Sequence, residues 1–140
     1  MAAIEGILET ALYAEDLDAA ESFYGGLLGL ERITRQADRH IFFRCGPGVL
    51  LIFNPKETLV PPPPEAFPVP AHGMTGNGHI CFRVPGSDLD GWAARLRDAG
   101  VAIEADFRWP NGARSIYFRD PAGNSIECAE PKLWGFDEQE

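Results

Sequence analysis

The sequence predicts an α+β fold built from two paired β-α-β-β-β modules, with mixed sheets curved around a central cavity. Three observations carry this expectation. Residues 8–30 and 78–101 share one plan: an alternating strand, a polar turn, an amphipathic helix and a closing glycine. Each stretch is followed by three short strand-like runs. The last two runs of each set are joined by matching turns, Cys45-Gly46-Pro47-Gly48 and Asp120-Pro121-Ala122-Gly123-Asn124, and each turn follows a Phe-Arg pair. A four-stranded sheet with a helix on one face cannot cover both faces by itself, so two such units are expected to pair.

The first module covers about residues 4–54. In its opening strand Leu8, Thr10, Leu12 and Ala14 fall on one face, and Glu9, Ala11 and Tyr13 on the other. Asp16 stands where an N-cap belongs, and Leu17, Ala20, Tyr24, Leu27 and Leu28 form the apolar stripe of the helix that follows. The Gly25-Gly26 pair weakens that helix by about 1 kcal/mol per glycine, and Gly29 is the expected stop. Three strands follow at 32–35, 40–44 and 49–53.

Residues 55–77 carry Pro61-Pro62-Pro63-Pro64, Pro68 and Pro70, the composition of an extended, semi-rigid connector. The same run could instead dock a proline-recognising partner. The second module, about residues 78–131, repeats the plan: a strand from His79, a helix N-capped by Ser87 with Leu89, Trp92, Ala93 and Leu96 on its apolar stripe, and strands at 102–107, 114–119 and 124–129. Residues 132–140 form an acidic tail in which Trp134 and Phe136 are candidate anchors on the body.

A chain of 140 residues, 45% hydrophobic and 24% charged, has the size and composition of a single globular domain. No apolar run approaches the roughly 20 residues of a membrane span, and no secretory signal is visible. The three cysteines are widely spaced without a Cys-x-x-Cys pair, which argues against a disulfide framework or structural zinc and for a reducing, cytoplasmic setting. A net charge of −9 without a basic stripe excludes nucleic acid as the expected partner.

Parity along the strands points Glu9, His79 and Glu127 away from the helix-facing side chains and toward the concave face. One imidazole and two carboxylates suit a divalent ion, Mn, Mg or Fe, with Zn, Ni or Co also accepted, and leave coordination positions for water and substrate. Glu9 and Glu127 are candidates for alternating between ligand and base, and His72, in the Ala71-His72-Gly73 loop, is a third candidate proton carrier. Arg83 lies on the face of His79, and Arg114 precedes Ser115; either guanidinium could pair a carboxylate or phosphonate. Each of these residues also has an ordinary structural explanation, as a solvated strand residue, a loop histidine or an exposed arginine.

The residues Glu9-Thr10-Ala11-Leu12-Tyr13-Ala14-Glu15-Asp16-Leu17, Ser22-Phe23-Tyr24, Leu28-Gly29-Leu30, Gly78-His79-Ile80 and the run from Tyr117 through Asp120-Pro121-Ala122-Gly123-Asn124 to Glu127 resemble the vicinal oxygen chelate superfamily. That group includes glyoxalase I, fosfomycin resistance enzymes, extradiol dioxygenases and bleomycin resistance proteins. The resemblance implies the glyoxalase-like module pair, a homodimer, and a metal chelated by two neighbouring oxygens of a small-molecule substrate. It places His79 and Glu127 on the second module's two metal positions and Glu9 on the first module's opening position. The first module's closing carboxylate would fall among Leu50, Leu51 and Ile52, none of which can ligate. Tyr117 and Ser115 are similar to substrate-facing positions in the fosfomycin enzymes.

Two functional classes follow. One is a metal-dependent lyase or isomerase, thiol transferase or dioxygenase, in which the ion stabilises a developing enolate or alkoxide. The other is a non-catalytic drug-binding protein of the bleomycin-resistance type, for which the acidic charge would suit a cationic ligand.

Overall fold

In the computed structural model, which describes residues 2–138, the chain forms two four-stranded sheets, each carrying helices, in the α+β arrangement the repeat predicts. The described residues divide into two compact units between Gly76 and Asn77.

In the first unit, β1 (Glu9–Tyr13) lies parallel to β4 (Gly48–Phe53), which continues antiparallel to β3 (His40–Cys45) and β2 (Glu31–Gln36), in the order β1-β4-β3-β2. Asp16 caps α1 (Leu17–Glu21) as expected, its carboxylate accepting from the Ala19 N–H at 3.0 Å. The helix does not continue in α form. Residues Ser22–Leu27 widen into a π-helical turn, in which the Leu28 N–H reaches the Phe23 carbonyl at 2.9 Å. The turn contains Gly25 and Gly26, whose missing side chains ease the departure from α geometry. Its apolar stripe still reaches the sheet: Tyr24, Phe43, Leu50, Ile41 and Ile52 are fully buried, and α1 packs against β3 and β4. Burial of each such side chain stabilises by about 1.5–3 kcal/mol.

The connector departs from the expected extended run at its start. Pro55–Thr58 forms a short helix, α2, with Pro55 in its first turn and Asn54 capping it through the Lys56 N–H at 3.1 Å. The proline run itself, 61–64, takes no regular secondary structure, and Ala71-His72-Gly73 returns to α2 through the bond from the His72 N–H to the Thr58 carbonyl at 3.0 Å.

The second unit repeats the order: β5 (His79–Arg83) parallel to β8 (Ser125–Ala129), then β7 (Arg114–Arg119) and β6 (Ala105–Arg108), giving β5-β8-β7-β6. The expected Ser87 cap is corrected here. Ser87 lies inside a 3₁₀ turn, Gly86–Asp88, and α3 (Leu89–Asp98) begins behind Asp88 with no side-chain cap. The 3₁₀ turn itself receives the chain from β5, so the α-helix starts one residue later than a Ser87 cap would place it. Leu89, Ala93 and Leu96 face the core with Ile116, Phe118 and Ile126. After β8 a 3₁₀ turn, Pro131–Trp134, ends at Gly135. Trp134 is 78% exposed and Phe136 53%, so neither anchors the tail. Residues 139–140 of the acidic tail lie outside the described residues. No helix among the described residues is long and apolar enough to cross a membrane.

Candidate functional site

Strand pairing in the second sheet gathers its polar residues on one face. His79 lies opposite Ser125, Cys81 opposite Glu127, Tyr117 opposite Glu127 and Ser115 opposite Ala129. Paired positions share a face of the pleat, so His79, Cys81, Glu127, Ser115 and Tyr117 all project from one side. The other side carries Ile116, Phe118 and Ile126 into the core.

The imidazole of His79 is oriented by the backbone. Its Nδ1 lies 3.0 Å from the Ser125 carbonyl oxygen. A carbonyl can only accept, so Nδ1 carries the hydrogen and neutral His79 presents its lone pair on Nε2. That nitrogen stands 3.4 Å from Glu127 Oε1, and the side chain is 52% exposed. Glu127 itself is only 5% exposed. Its Oε2 accepts from Ser115 Oγ at 2.6 Å, and Ser115 Oγ accepts from the indole Nε1–H of Trp109 at 2.8 Å. A buried carboxylate requires donors of this kind.

Two neighbours respond to Glu127. Burial, reinforced by the carboxylate, pushes the Tyr117 phenol up to about 12. The same two causes, in the same order, push the Cys81 thiol up to about 12. Both groups therefore face the site protonated at neutral pH.

The turn before β8 sets the height of His79 against Glu127. Asp120 Oδ1 accepts from the Ala122 and Asn124 amides at 3.0 and 2.8 Å, and Asn124 Nδ2 donates to Asp120 Oδ2 at 2.9 Å. Asn124 Oδ1 then accepts from the Gly78 N–H at 2.7 Å, tying the turn to the residue before His79. Gly123 is required here: its φ is +91°, and a Cβ would stand 2.9 Å from Asn77 Oδ1.

The first module lacks the carboxylate that the second carries at the equivalent position. Glu9 pairs with Val49 as His79 pairs with Ser125, and Arg44 pairs with Val49 as Arg119 pairs with Ser125. Val49 is thus the counterpart of Ser125, which makes Leu51 the counterpart of Glu127. The three sequence candidates reduce to Leu51, an apolar residue 9% exposed. Glu9 is exposed at the start of β1.

The remaining predicted residues are placed as follows. His72 belongs to the first unit, where its Nδ1 lies 2.7 Å from the Tyr13 hydroxyl and its ring stands edge-on to Phe53 at 4.6 Å. Tyr13 is four residues from Glu9, roughly 13 Å along a strand. Ser115 is fully buried, its hydroxyl engaged with Glu127. Arg83 shares the face of His79 and donates to the Asp137 carbonyl at 2.7 Å. Arg114 lies on the opposite face, paired bidentately with Asp106 at 2.8 Å and with Asp90 of α3 at 2.6 Å. Among the described residues, His79 and Glu127 are brought together, and no group of three His, Cys, Asp or Glu side chains is assembled that could hold a metal ion.

The family model described as the Glyoxalase/Bleomycin resistance protein/Dioxygenase superfamily matches residues 6–128. The chain belongs to this superfamily. A lactoylglutathione lyase from Agrobacterium tumefaciens is 46% identical, with 95% of this chain and 98% of that chain covered and a TM-score of 0.91. A glyoxalase/dioxygenase from Nostoc punctiforme is 26% identical over 89% of this chain and 90% of that one, with a TM-score of 0.65. A glyoxalase/bleomycin resistance protein/dioxygenase from Nocardioides, 23% identical over 93% and 85% with a TM-score of 0.70, shares the fold. No curated protein matches the chain.

The second module supplies two donors of the kind a divalent ion accepts, one imidazole nitrogen and one carboxylate oxygen. The lone pair of His79 and Oε1 of Glu127 face one another, and each side chain has its other polar atom hydrogen-bonded within the protein, the arrangement that orients metal ligands. Trp109 is the participant that sequence reasoning missed. As the residue after β6 it reads as an apolar wall; its N–H has a function only once Ser115 is known to be buried beside it.

Proposed function

We propose that this protein is a metal-dependent enzyme acting on a small molecule through two adjacent oxygens, of the lyase or isomerase type, with His79, Glu127 and Glu9 as the protein donors. The carrying observation is the buried Glu127 with one oxygen facing the lone pair of His79 and the other held by Ser115. The 46% identity to a lactoylglutathione lyase supports the reaction class. When bound, the ion supplies Lewis acidity at the substrate oxygens.

The chain's own residues do the rest. His79 keeps its orientation because Ser125 holds Nδ1. Tyr117, neutral at working pH, offers a phenolic hydrogen bond beside Glu127. Glu9, exposed at the opening of β1, is the carboxylate that can move between donor and proton acceptor. His72 is left out of this assignment because Tyr13 holds it at the far end of β1 from Glu9. A homodimer, as the family resemblance implies, is part of the reading.

The test is titration of metal-stripped protein with Mn²⁺, Ni²⁺ and Zn²⁺, followed by a screen of 2-oxoaldehyde–thiol adducts, epoxides and catechols. Saturable binding lost in His79→Ala and Glu127→Ala and weakened in Glu9→Ala is expected. A wild-type protein that takes up none of the three ions refutes the proposal. The second reading, sequestration of a cationic molecule without catalysis, is favoured by the net charge of −9 and by Leu51 at the position equivalent to Glu127. It predicts binding of a cationic drug that survives all three substitutions.

A further inference from the structure

We infer that Trp109 and Ser115 are positioning residues that aim Glu127, through a directed relay from the indole N–H to the serine hydroxyl to the carboxylate. The inference rests on the metal-holding role proposed for Glu127. Its starting point is the hydroxyl of Ser115, which has one hydrogen and rotates freely unless directed. Here the hydroxyl oxygen accepts from Trp109 Nε1 at 2.8 Å, and its hydrogen goes to Glu127 Oε2 at 2.6 Å. Ser115 has no exposed surface, so bulk water does not compete for either bond. With Oε2 held, the carboxylate plane is set and Oε1 is left toward His79 Nε2 at 3.4 Å.

Trp109 is itself fixed. Its N–H donates to the Ala113 carbonyl at 2.8 Å, and its carbonyl accepts from the Gly112 N–H at 2.8 Å, closing the turn between β6 and β7. Its ring lies against Phe107 with centroids 4.8 Å apart. Asn111 Nδ2 ties the same turn to the Lys132 carbonyl at 3.0 Å. A residue of a surface turn thereby reaches a carboxylate in the middle of the sheet, and the turn takes part in setting where Oε1 points.

The experiment uses the full chain stripped of metal and titrated calorimetrically with Mn²⁺, with the thermal midpoint of the metal-free protein measured in parallel. Trp109→Phe removes the N–H and keeps an aromatic ring; Ser115→Ala removes the hydroxyl. Each is expected to weaken Mn²⁺ binding by about 10- to 100-fold, the usual cost of losing an outer-shell partner of a metal ligand. Because Trp109 acts through Ser115, the double variant is expected to bind no more weakly than Ser115→Ala. Should Ser115→Ala fail to fold, Trp109→Phe alone decides. Wild-type affinity in Trp109→Phe, or further weakening of the double variant, overturns the inference while leaving the proposed function standing. Where the wild type takes Ni²⁺ or Zn²⁺ but not Mn²⁺, the same titrations are read with that ion; a wild type that binds none of the three refutes the proposed function instead and removes the ground of the inference with it.

Discussion

Replacing Asn124 by alanine tests how the second module holds its site in register. Asn124 is 1% exposed, and alanine cannot make the bonds that its amide group forms with Asp120 and with the Gly78 N–H. One, from Nδ2 to Asp120 Oδ2 at 2.9 Å, involves a carboxylate that is itself 5% exposed. A hydrogen bond to a charged group contributes about 1.5–3 kcal/mol. The other, from the Gly78 N–H to Oδ1 at 2.7 Å, leaves a part-buried donor without that acceptor, at about 1–2 kcal/mol. Asp120 keeps its bonds to the Ala122 and Asn124 amides, so the turn loses strength without losing its shape. The sum is roughly 3 kcal/mol. At a urea slope of about 1.5–2 kcal/mol/M this moves the unfolding midpoint down by roughly 1.5–2 M. Circular dichroism across a urea series measures it. Asn124→Asp keeps the acceptor for Gly78 but sets a second carboxylate against Asp120, and should unfold at least as early at neutral pH. A midpoint shift below about 0.5 M for Asn124→Ala, at an unchanged slope, would refute the assignment of the turn as the clamp on β5.

Two further outcomes are expected. Gly26→Ala should stabilise the protein by about 0.4–1 kcal/mol, because a Cβ there meets nothing within 4 Å and the glycine does not use a positive φ; a melting temperature that falls would contradict this. Asp106 is held below the usual 3.8 by its hydrogen bond to Arg114, so its contribution to stability is present above that value and lost as pH falls through the lower folded-state value. Asp106→Asn should accordingly flatten the acid limb of the stability–pH curve below about pH 4, and an unaltered limb would show that the pair with Arg114 contributes nothing.

The architecture was legible because it is written twice. Alternation in β1 and β5, the paired Phe-Arg positions and the two turns each predict the same sheet order, and Phe43 and Phe118 are both fully buried where the repeat aligns them. Asp16 could be read as a cap because a carboxylate before a helical stripe has one obvious use. Ser87 misled for the same reason: a single-turn 3₁₀ segment ahead of α3 has no periodicity by which sequence could reveal it. The π-turn at Ser22–Leu27 was half visible, since Gly25-Gly26 marks weakness without saying what form the relaxed helix takes.

At the site, parity was enough to put His79 and Glu127 on one face, and it also contained the evidence against Arg114. Adjacent residues of a strand project to opposite sides, so Arg114 could not share the face of Ser115, and the structure places it with Asp90 and Asp106. What parity cannot reach is the partner of a side chain. That Ser115 serves Glu127, that Trp109 serves Ser115, and that His72 is held by Tyr13 depend on turns and loops whose paths are set by packing.

Leu51 divides the evolutionary freedom of the two halves unequally. Under the proposed function, position 127 must offer a carboxylate oxygen, and even glutamine would alter what it offers. Position 51 answers only to volume and apolarity, so isoleucine or methionine can replace leucine there at about 1.5 kcal/mol or less. Substitution should therefore be freer at this one place in the first half than at its match in the second.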